Sequence, residues 1–512
     1  MTISNSMKNE TVTRVIEQSE IAPPPGSVPS PTTLPLTFLD IGWFFCPPIQ
    51  RIFFYHFPHP THHFLQTTLP ILKHSLSITL QHFFPFSSNL IIPPNSQNVP
   101  YIRYLNGDFI SLTVVESSTN FNILISDSQD TQNWYPLVPN LCAPRTEQNG
   151  TRVIPLMSIQ ITILPNFGFS ICLTFSHIAG DGKSLHHFMK FWASISKARA
   201  NYFEIEHSIS IDLPSHERDR VKDPKGLKLI YLKELQDMIS KKIELPNLVR
   251  YSHANKVRTT LVLNSEQVQK LKKWVSVKCK EKLQHMSTFV VTCSLIWFCM
   301  VKSEQSKIEE DNAVVDDVCY LVFMADCRDR PRFLLPKNYF GNCLATCIVA
   351  VKRDELVGKN GIVVAANGIE RKIRDFKSDA LLGFETLMSD YRELSEPSKS
   401  IVYVAGSPKL AVYETDFGWG KPVKSEAVHI DSSGSISLSE CRVGGGGIEV
   451  GLALERIRMT NFINIFEEVL HKTQRTNQTY GKLLIISCIY LFNSILFVLY
   501  SKFSTTCRFN LR

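Results

Sequence analysis

Apolar residues recur at helical and at strand spacing through the first half of the chain. Those from Leu69 to His82 lie at the spacing of a buried helix. Two strand-like runs, Val153–Leu164 and Phe169–Phe175, flank the turn residues Pro165–Gly168 and predict a hairpin. A helix with one apolar face is predicted to begin near Lys183, directly after this hairpin.

The second half mixes helices and strands in the same way. An amphipathic helix is predicted from Leu227, and a strand over Val257–Leu263 is followed by Asn264 and Gln267 at the spacing of a capping box. The remaining predicted segments are a helix from Ser287, strands over Ser425–Ile430, Ser435–Ser439 and Ile448–Leu454, and a last helix after Thr460. The pattern predicts a mixed α/β fold in two halves of similar size.

Changes in composition divide the chain into segments. Residues 1–34 are polar and then proline-rich, which predicts a mobile lead-in, and residues 197–226 form a polar, proline-containing linker. The expected domains and the tail are then 35–196, 227–472 and 473–512. Within the tail, the apolar segment 483–500 has about the minimum length of a membrane span. A membrane anchor, an extension from an imprecise gene boundary and a helix packed on the body all fit it.

The overall composition is ordinary for a soluble globular protein, with 44% apolar residues, 20% charged residues and a net charge of +8. Lys and Arg form no long run, so no nucleic-acid partner is expected. The start of the chain lacks a secretory pattern and the thirteen cysteines include no CxxC pair, which predicts a cytoplasmic protein with reduced cysteines. The histidines between His56 and His63 lack the rest of a ligand set, so no metal is expected.

His177 is the residue best placed for chemistry. It follows the second predicted strand, and the glycines of the segment His177–Gly182 allow a sharp turn before the helix. An imidazole at the lip of a sheet can take a proton from a hydroxyl near neutral pH. Asp181 could orient this imidazole or form an internal ion pair that shapes the loop. A structural histidine at a strand end fits the same spacing, so this segment alone leaves the function open.

A second segment, Asp416–Pro422, has the glycines and proline of a tight loop, and Trp419 adds an N–H donor and a flat apolar face. In their order and separation, the two segments resemble the His-x-x-x-Asp and Asp-Phe-Gly-Trp-Gly motifs of the BAHD family of plant acyl-CoA-dependent acyltransferases. Tyr339–Cys343 is similar to the signature of the family's flavonoid and anthocyanin branch. The resemblance spans roughly residues 21–472 and departs from the family at Pro85–Asn89.

The resemblance implies a two-domain, chloramphenicol-acetyltransferase-like fold with a channel between the domains. It implies that acyl-CoA enters as a co-substrate from one face and a small-molecule acceptor from the other, in a monomer without a tightly bound cofactor. His177 would act as the general base on the acceptor hydroxyl. The branch implies transfer of a malonyl group from malonyl-CoA to a sugar hydroxyl of a phenolic or flavonoid glucoside.

Roles for the residues that support the site follow from the same resemblance. The family's aspartate points away from the histidine and pairs with an arginine, which assigns Asp181 to the architecture of the loop. Arg328 is the candidate partner of Asp181. The loop that contains Asp416, Gly418 and Gly420 is expected to be largely structural and to lie close to the coenzyme.

Four further residues are expected to contact the donor. The Trp419 N–H could donate to the oxyanion of the tetrahedral intermediate. Ser287 and Thr288 are expected near the pantetheine arm. Lys183 lies in the first turn of a helix, where anions are favoured, so it could hold a malonyl carboxylate or a coenzyme phosphate. A solvated lysine is an equally good interpretation of Lys183.

Other functions remain open at this point. The same fold and reaction could use a hydroxycinnamoyl-CoA donor. A catalytically inactive protein that binds a small molecule, or a hydrolase that releases product with water, could share the fold. No GxSxG segment is present, so a serine hydrolase lacks its nucleophile.

Overall fold

The computed structural model describes residues 13–94, 99–200, 212–240, 255–279, 286–304, 317–396, 398–432 and 434–473. The strands are β1 Thr13–Ile21, β2 Thr32–Pro35, β3 Ile49–His56, β4 Asn89–Ile92, β5 Tyr101–Tyr104, β6 Ile110–Ser117, β7 Ser128–Asp130, β8 Arg145–Thr146, β9 Arg152–Pro155, β10 Met157–Leu164, β11 Gly168–Phe175, β12 Lys256–Leu263, β13 Val318–Asp326, β14 Leu344–Lys352, β15 Ser400–Gly406, β16 Lys424–Ala427, β17 Ile436–Glu440 and β18 Ile448–Glu455.

The helices are α1 Phe38–Ile41, α2 Thr61–His63, α3 Leu69–His82, α4 Phe121–Ile125, α5 Gly182–Ala200, α6 Leu227–Ser240, α7 Ser265–Lys278, α8 Thr288–Lys302, α9 Arg353–Val357, α10 Gly361–Ser378, α11 Leu387–Leu394 and α12 over 456–473. A π-helical turn, Phe64–Thr68, joins α2 to α3. These elements confirm the mixed α/β class that the sequence predicts.

Three sheets form the framework. The first has six strands in the order β1-β6-β10-β11-β3-β16, and the second has seven in the order β14-β13-β15-β17-β18-β12-β7. A smaller sheet has the order β2-β5-β4-β9-β8. The side chains of β10 and β11 are buried throughout, because these strands lie inside the six-stranded sheet.

The two large sheets exchange strands between the halves of the chain. β7, from the first half, pairs with β12 in the seven-stranded sheet. β16, from the second half, pairs with β3 in the six-stranded sheet. Each large sheet is therefore completed by a strand from the other half.

The predicted hairpin is present, but its first arm is two strands. β10 and β11 pair in antiparallel register from Met157 opposite Phe175 to Leu164 opposite Gly168. The single strand predicted over Val153–Leu164 divides at Leu156, because β9 pairs with β4 in the small sheet while β10 joins the six-stranded sheet.

The helix over Leu69–His82, the helix from Leu227 and the capping box at Asn264 are all confirmed. The side chains of Asn264 and Gln267 accept each other's backbone N–H at 2.8 and 2.9 Å. The run predicted as a strand over Ser425–Ile430 is extended only to Ala427 and then enters a 3₁₀ turn. The last helix begins at residue 456, four residues before Thr460.

One expectation about the connecting segments needs correction. The predicted mobile lead-in, residues 1–34, contains β1 and most of β2, and β1 pairs along its length with β6. Its polar residues suit an edge strand, which has one sheet neighbour and an open side. The described part of the predicted linker contains the 3₁₀ turn Arg218–Arg220, whose Arg218 is buried.

The apolar segment 483–500 lies outside the described residues. Among the helices of the described part of the chain, none has both the length and the apolar character that crossing a membrane requires.

Candidate active site

His177 lies just beyond β11, where the sheet ends and the chain turns into α5. β11 pairs with β3 as far as Phe175 opposite Ile49, so the turn begins at the edge of a firmly held strand. The residue is 8% exposed, which leaves a small part of it accessible. The indole ring of Trp43 stacks on the imidazole, with the ring centroids 3.7 Å apart and the planes 9° from parallel.

Asn342 fixes the orientation of the imidazole. Its Nδ2 donates to Asp40 Oδ1 at 3.0 Å and to the backbone carbonyl of His177 at 2.9 Å, and both of these groups only accept. The amide oxygen of Asn342 therefore faces His177 Nδ1, at 3.0 Å. Since this oxygen accepts, His177 Nδ1 carries the proton and Nε2 is left with a lone pair.

Burial lowers the pKa of His177 below its usual value of 6.5, because a charged imidazolium loses solvation in this position. Asp181, the residue's own backbone carbonyl, Asn342 and Asp40 oppose this effect only in part. The imidazole is therefore neutral at physiological pH and can accept a proton at Nε2.

Asp181 and Arg328 are brought together as a buried ion pair. Arg328 Nη2 lies 2.9 Å from Asp181 Oδ2, and both side chains are almost completely buried. The Asp181 carboxylate also accepts the backbone N–H of Ser184 at 3.0 Å and of Cys343 at 3.1 Å. These contacts tie the turn after His177 to the loop that carries Asn342.

Lys183 is close to His177 in sequence, but its charge already has a partner. Its Nζ lies 3.2 Å from Asp326 Oδ2, and the two side chains are 40% and 43% exposed. Asp326 also contacts Arg328 at 3.0 Å. Lys183 thus belongs to a partly exposed cluster of charges at the rim of the turn.

The loop over Asp416–Gly420 is held by its first residue. Asp416 Oδ1 accepts the backbone N–H groups of Gly418 at 2.9 Å and Gly420 at 3.0 Å, and Oδ2 lies 2.6 Å from Lys197 Nζ. Burial would raise the pKa of Asp416, but Lys197 and the two N–H groups bring it below its usual value. Gly418 and Gly420 have φ of +109° and +98°, a region that favours glycine.

Trp419 is far from His177, which corrects the expected oxyanion role. Its ring packs edge-on against Phe57 and Phe169, at the opposite end of β11 from Phe175. Phe175 is six positions beyond Phe169, and a strand rises about 3.3 Å per position, so about 20 Å lies between them. An indole N–H at that distance cannot reach an oxyanion formed beside His177.

Ser287 and Thr288 lie at the start of α8. The hydroxyl of Ser287 accepts the backbone N–H of Val290 at 3.2 Å, which makes it the N-cap of the helix. The side chain of Ser287 is exposed and that of Thr288 is partly exposed. Their contact with a pantetheine arm stays a prediction.

The site includes residues whose roles were not predicted. Asn342 stands within the segment Tyr339–Cys343, which the sequence identifies only as a branch signature. Asp40 and Trp43 lie in and after α1, and Arg218 lies in the predicted linker. An aspartate and an arginine in otherwise apolar or linking segments are weak signals, and only the folded chain brings them beside His177.

Comparisons with known proteins agree on one family. A family model described as "Transferase family" matches residues 12–469. The chain is 38% identical over 470 residues to coumaroyl-CoA:anthocyanidin 3-O-glucoside-6''-O-coumaroyltransferase 1 of Arabidopsis thaliana, covering 90% of this chain and 98% of that protein. It is 37% identical over 465 residues to malonyl-coenzyme A:anthocyanin 3-O-glucoside-6''-O-malonyltransferase of Dahlia pinnata, covering 89% and 97%.

Among solved structures, vinorine synthase superposes with a TM-score of 0.63 at 18% sequence identity. The alignment covers 88% of this chain and 96% of vinorine synthase. At this identity the likeness concerns the fold, and it extends over both halves of the chain.

Proposed function

The chain belongs to the Transferase (BAHD) family of acyl-CoA-dependent acyltransferases, and we propose that it moves an acyl group from coenzyme A to a sugar hydroxyl of a phenolic or flavonoid glucoside, with His177 as general base. The observation that carries this proposal is the contact between His177 Nδ1 and Asn342 Oδ1 at 3.0 Å. It leaves Nε2 unprotonated and able to accept the hydroxyl proton.

The reaction then needs one proton carrier. His177 Nε2 takes the proton of the acceptor hydroxyl while the oxygen attacks the thioester carbonyl carbon. The tetrahedral intermediate collapses as its C–S bond breaks, and the coenzyme A thiolate leaves. The imidazolium returns its proton to the sulfur, so that the ester and the free thiol are formed without a covalent enzyme intermediate.

A glucoside acceptor is supported by the names of the relatives and by the surroundings of Trp43. The two relatives act on anthocyanidin or anthocyanin glucosides. In this chain, the flat indole of Trp43 lies directly beside the imidazole of His177, with the ring centroids 3.7 Å apart, and a flat aromatic face near the base suits a phenolic acceptor.

The acyl group is the finer part of the proposal. A malonyl group, the first candidate, carries a carboxylate that needs a cation, and Lys183 is the one that the sequence suggests. Lys183 is paired with Asp326, however, and would have to leave that partner. The second candidate is a hydroxycinnamoyl group, which carries no carboxylate and is supported by the name of the coumaroyltransferase relative of Arabidopsis thaliana.

A matrix of donors and acceptors tests the function. Purified protein is incubated with malonyl-, acetyl- and coumaroyl-CoA and with anthocyanidin, flavonol and simple phenolic glucosides, and the products are identified by mass spectrometry. We expect one acyl group per glucoside, on the sugar, and loss of turnover in His177→Ala. Coenzyme A release without an acylated product would identify a hydrolase, and acylation by His177→Ala at the normal rate would rule out the proposed base.

Lys183→Ala separates the two donors. If Lys183 holds a malonyl carboxylate, the variant loses malonyl-CoA activity relative to acetyl-CoA activity. An unchanged ratio of the two activities would end the carboxylate role of Lys183. Lys197→Ala is the matched control, because Lys197 lies on the same helix but pairs with Asp416.

The proposal also includes the domain limits, the monomeric state and the cytoplasmic location inferred from the sequence, which stay predictions.

A further inference from the structure

Asp40 is a fully buried carboxylate that the reaction itself does not use. It lies in α1, where its Oδ2 accepts the backbone N–H of Thr37 at 2.9 Å and the Thr37 hydroxyl at 2.7 Å. This capping box anchors one oxygen of the carboxylate to the start of the helix. The second oxygen, Oδ1, points towards the loop that carries Asn342.

Asp40 Oδ1 accepts both donors of Asn342. The Asn342 backbone N–H lies 3.3 Å away and its Nδ2 lies 3.0 Å away. A carboxylate cannot donate, so it accepts Nδ2 and excludes the amide oxygen from this position. Asp40 and the backbone carbonyl of His177, which accepts the same Nδ2 at 2.9 Å, therefore hold the Asn342 amide in one orientation together.

Arg218 supplies the opposite charge. Its Nη1 lies 2.8 Å from both oxygens of Asp40, and both side chains are almost completely buried. The same guanidinium packs against Gly341, where an added Cβ would lie 2.5 Å from Arg218 Nη1. Gly341 has φ of +143°, so glycine also permits the backbone turn that presents Asn342 to Asp40.

We propose that Asp40, paired with Arg218, is a positioning residue that holds the Asn342 amide in one orientation and thereby keeps His177 in its Nδ1-protonated tautomer. The chain of contacts runs Arg218–Asp40–Asn342–His177 and joins four separate segments of the sequence. Its chemical effect is specific, because a rotated Asn342 amide would present Nδ2 to His177 Nδ1. Nδ1 would then accept, and the proton would reside on Nε2, which could no longer act as a base.

Asp40→Asn is the direct test. The new amide places an NH₂ group against donors of either Thr37 or Asn342, so the backbone carbonyls of His177 and Ile178 are left to hold Asn342 Nδ2 without the carboxylate. Rotated Asn342 should populate the Nε2-protonated form of His177. The kcat should fall at least about tenfold, since a general base contributes about 10²–10⁴ to the rate, while the KM for acyl-CoA stays within about threefold.

The tautomer is measured without substrate. Long-range ¹H–¹⁵N correlation spectra of histidine-labelled protein distinguish the two tautomers, and His177→Gln identifies the signal. The inference rests on the proposed function only where kcat is measured, because the tautomer is observed without any reaction. If the wild-type protein shows no transferase activity, the proposed function is contradicted. A change of the His177 tautomer in Asp40→Asn would still support the positioning role of Asp40.

Asp431→Asn is the matched control, because Asp431 is another buried aspartate paired with an arginine, Arg258. It should keep the His177 signal of the wild type. If Asp40→Asn does not fold, Asp40→Ser replaces it, since a hydroxyl can donate to the amide oxygen of Asn342 as well as accept its Nδ2. A folded variant with the wild-type tautomer would overturn the proposal, whether its kcat is normal or reduced.

Discussion

At the residue scale, the site depends on keeping one imidazole neutral and oriented. His177 is enclosed by the Trp43 ring on one face and by the Asn342 amide at Nδ1. The ion pair of Asp181 with Arg328 holds the turn without contacting the imidazole nitrogens among the described hydrogen bonds. The aspartate therefore shapes the loop, while an amide orients the base.

The lowered pKa of His177 predicts the pH dependence of the reaction. The base works only when it is neutral, and burial moves its pKa below 6.5. The rate should therefore be independent of pH near neutrality and fall only below pH 6.5, as Nε2 becomes protonated. The profile of kcat/KM against pH measures this limb for the free enzyme.

His82→Gln is a control for this profile. His82 also has a lowered pKa because of burial, but it lies at the end of α3, away from the turn. The fall of kcat/KM at low pH should keep the same midpoint in this variant. A midpoint at or above pH 6.5 in the wild type would mean that a group other than buried His177 limits the rate.

At the element scale, β11 determines what lies near the base. The same strand has Phe175 beside the His177 turn and Phe169 beside Trp419. The Asp416–Gly420 loop packs at the far end, where the Tyr55 hydroxyl donates to the carbonyl of Thr415 at 3.1 Å. The loop therefore stabilises the sheet that carries His177 without reaching the reaction.

Trp419→Phe tests this separation. Loss of an oxyanion donor lowers kcat about 10²–10³-fold. We expect kcat to stay within about twofold and the free energy of unfolding to fall by about 1 kcal/mol, because a ring packed on Phe57 and Phe169 becomes smaller. Steady-state rates and thermal unfolding of the same preparation measure both effects.

Asp416→Asn is the companion variant, because it weakens the loop without changing the indole. It should also lower stability and spare kcat. A hundredfold loss of kcat in Trp419→Phe with unchanged stability would restore the catalytic role for the indole.

The spacing of apolar and polar residues predicted those elements that depend only on residues near to them in the sequence. The helix over Leu69–His82 and the capping box at Asn264 depend on nearby residues, and both are present. The run over Val153–Leu164 is continuous in character but serves two sheets, so its division at Leu156 depends on distant strands. β1 escaped prediction because an edge strand needs few apolar residues.

At the scale of the whole molecule, the site is assembled across the chain. His177 and Asn342 are 165 residues apart, and Asp40 and Arg218 come from two further segments. The sequence identified His177 through its turn, whereas the role of Asn342 depends on which of its atoms meets the imidazole. Spacing along a chain carries no information about that contact.

The exchange of β7 and β16 joins the halves of the molecule, and a buried ionic network lies between them. Arg258, on β12, donates to Glu426, on β16, at 2.9 Å and also pairs with Asp431. Lys424 Nζ donates to the carbonyl of Ser126, next to β7, at 2.7 Å. The two halves should therefore unfold together in one transition, although the chain is long.

Glu426→Gln should weaken this connection. The change leaves the buried charges of Arg258 and Lys424 with one anion fewer, so we expect a loss of about 3 kcal/mol in the free energy of unfolding at pH 7. Urea unfolding followed by fluorescence and by circular dichroism measures it. Glu414→Gln is the control, because its pair with Lys421 is exposed on both sides and should contribute less than about 1 kcal/mol.

The effect of Glu426→Gln should also depend on pH in a defined direction. Burial alone would raise the pKa of Glu426, but Arg258, Lys424 and the Thr260 hydroxyl lower it from 4.5 to about 2. A carboxylate with a lowered pKa in the folded state stabilises fully above pH 4.5, and this stabilisation is lost as pH falls from 4.5 towards 2. The difference in free energy of unfolding between wild type and variant should thus shrink as pH falls from 4.5 to 2. A difference that stays constant would show that lost packing, not lost charge, destabilises the variant.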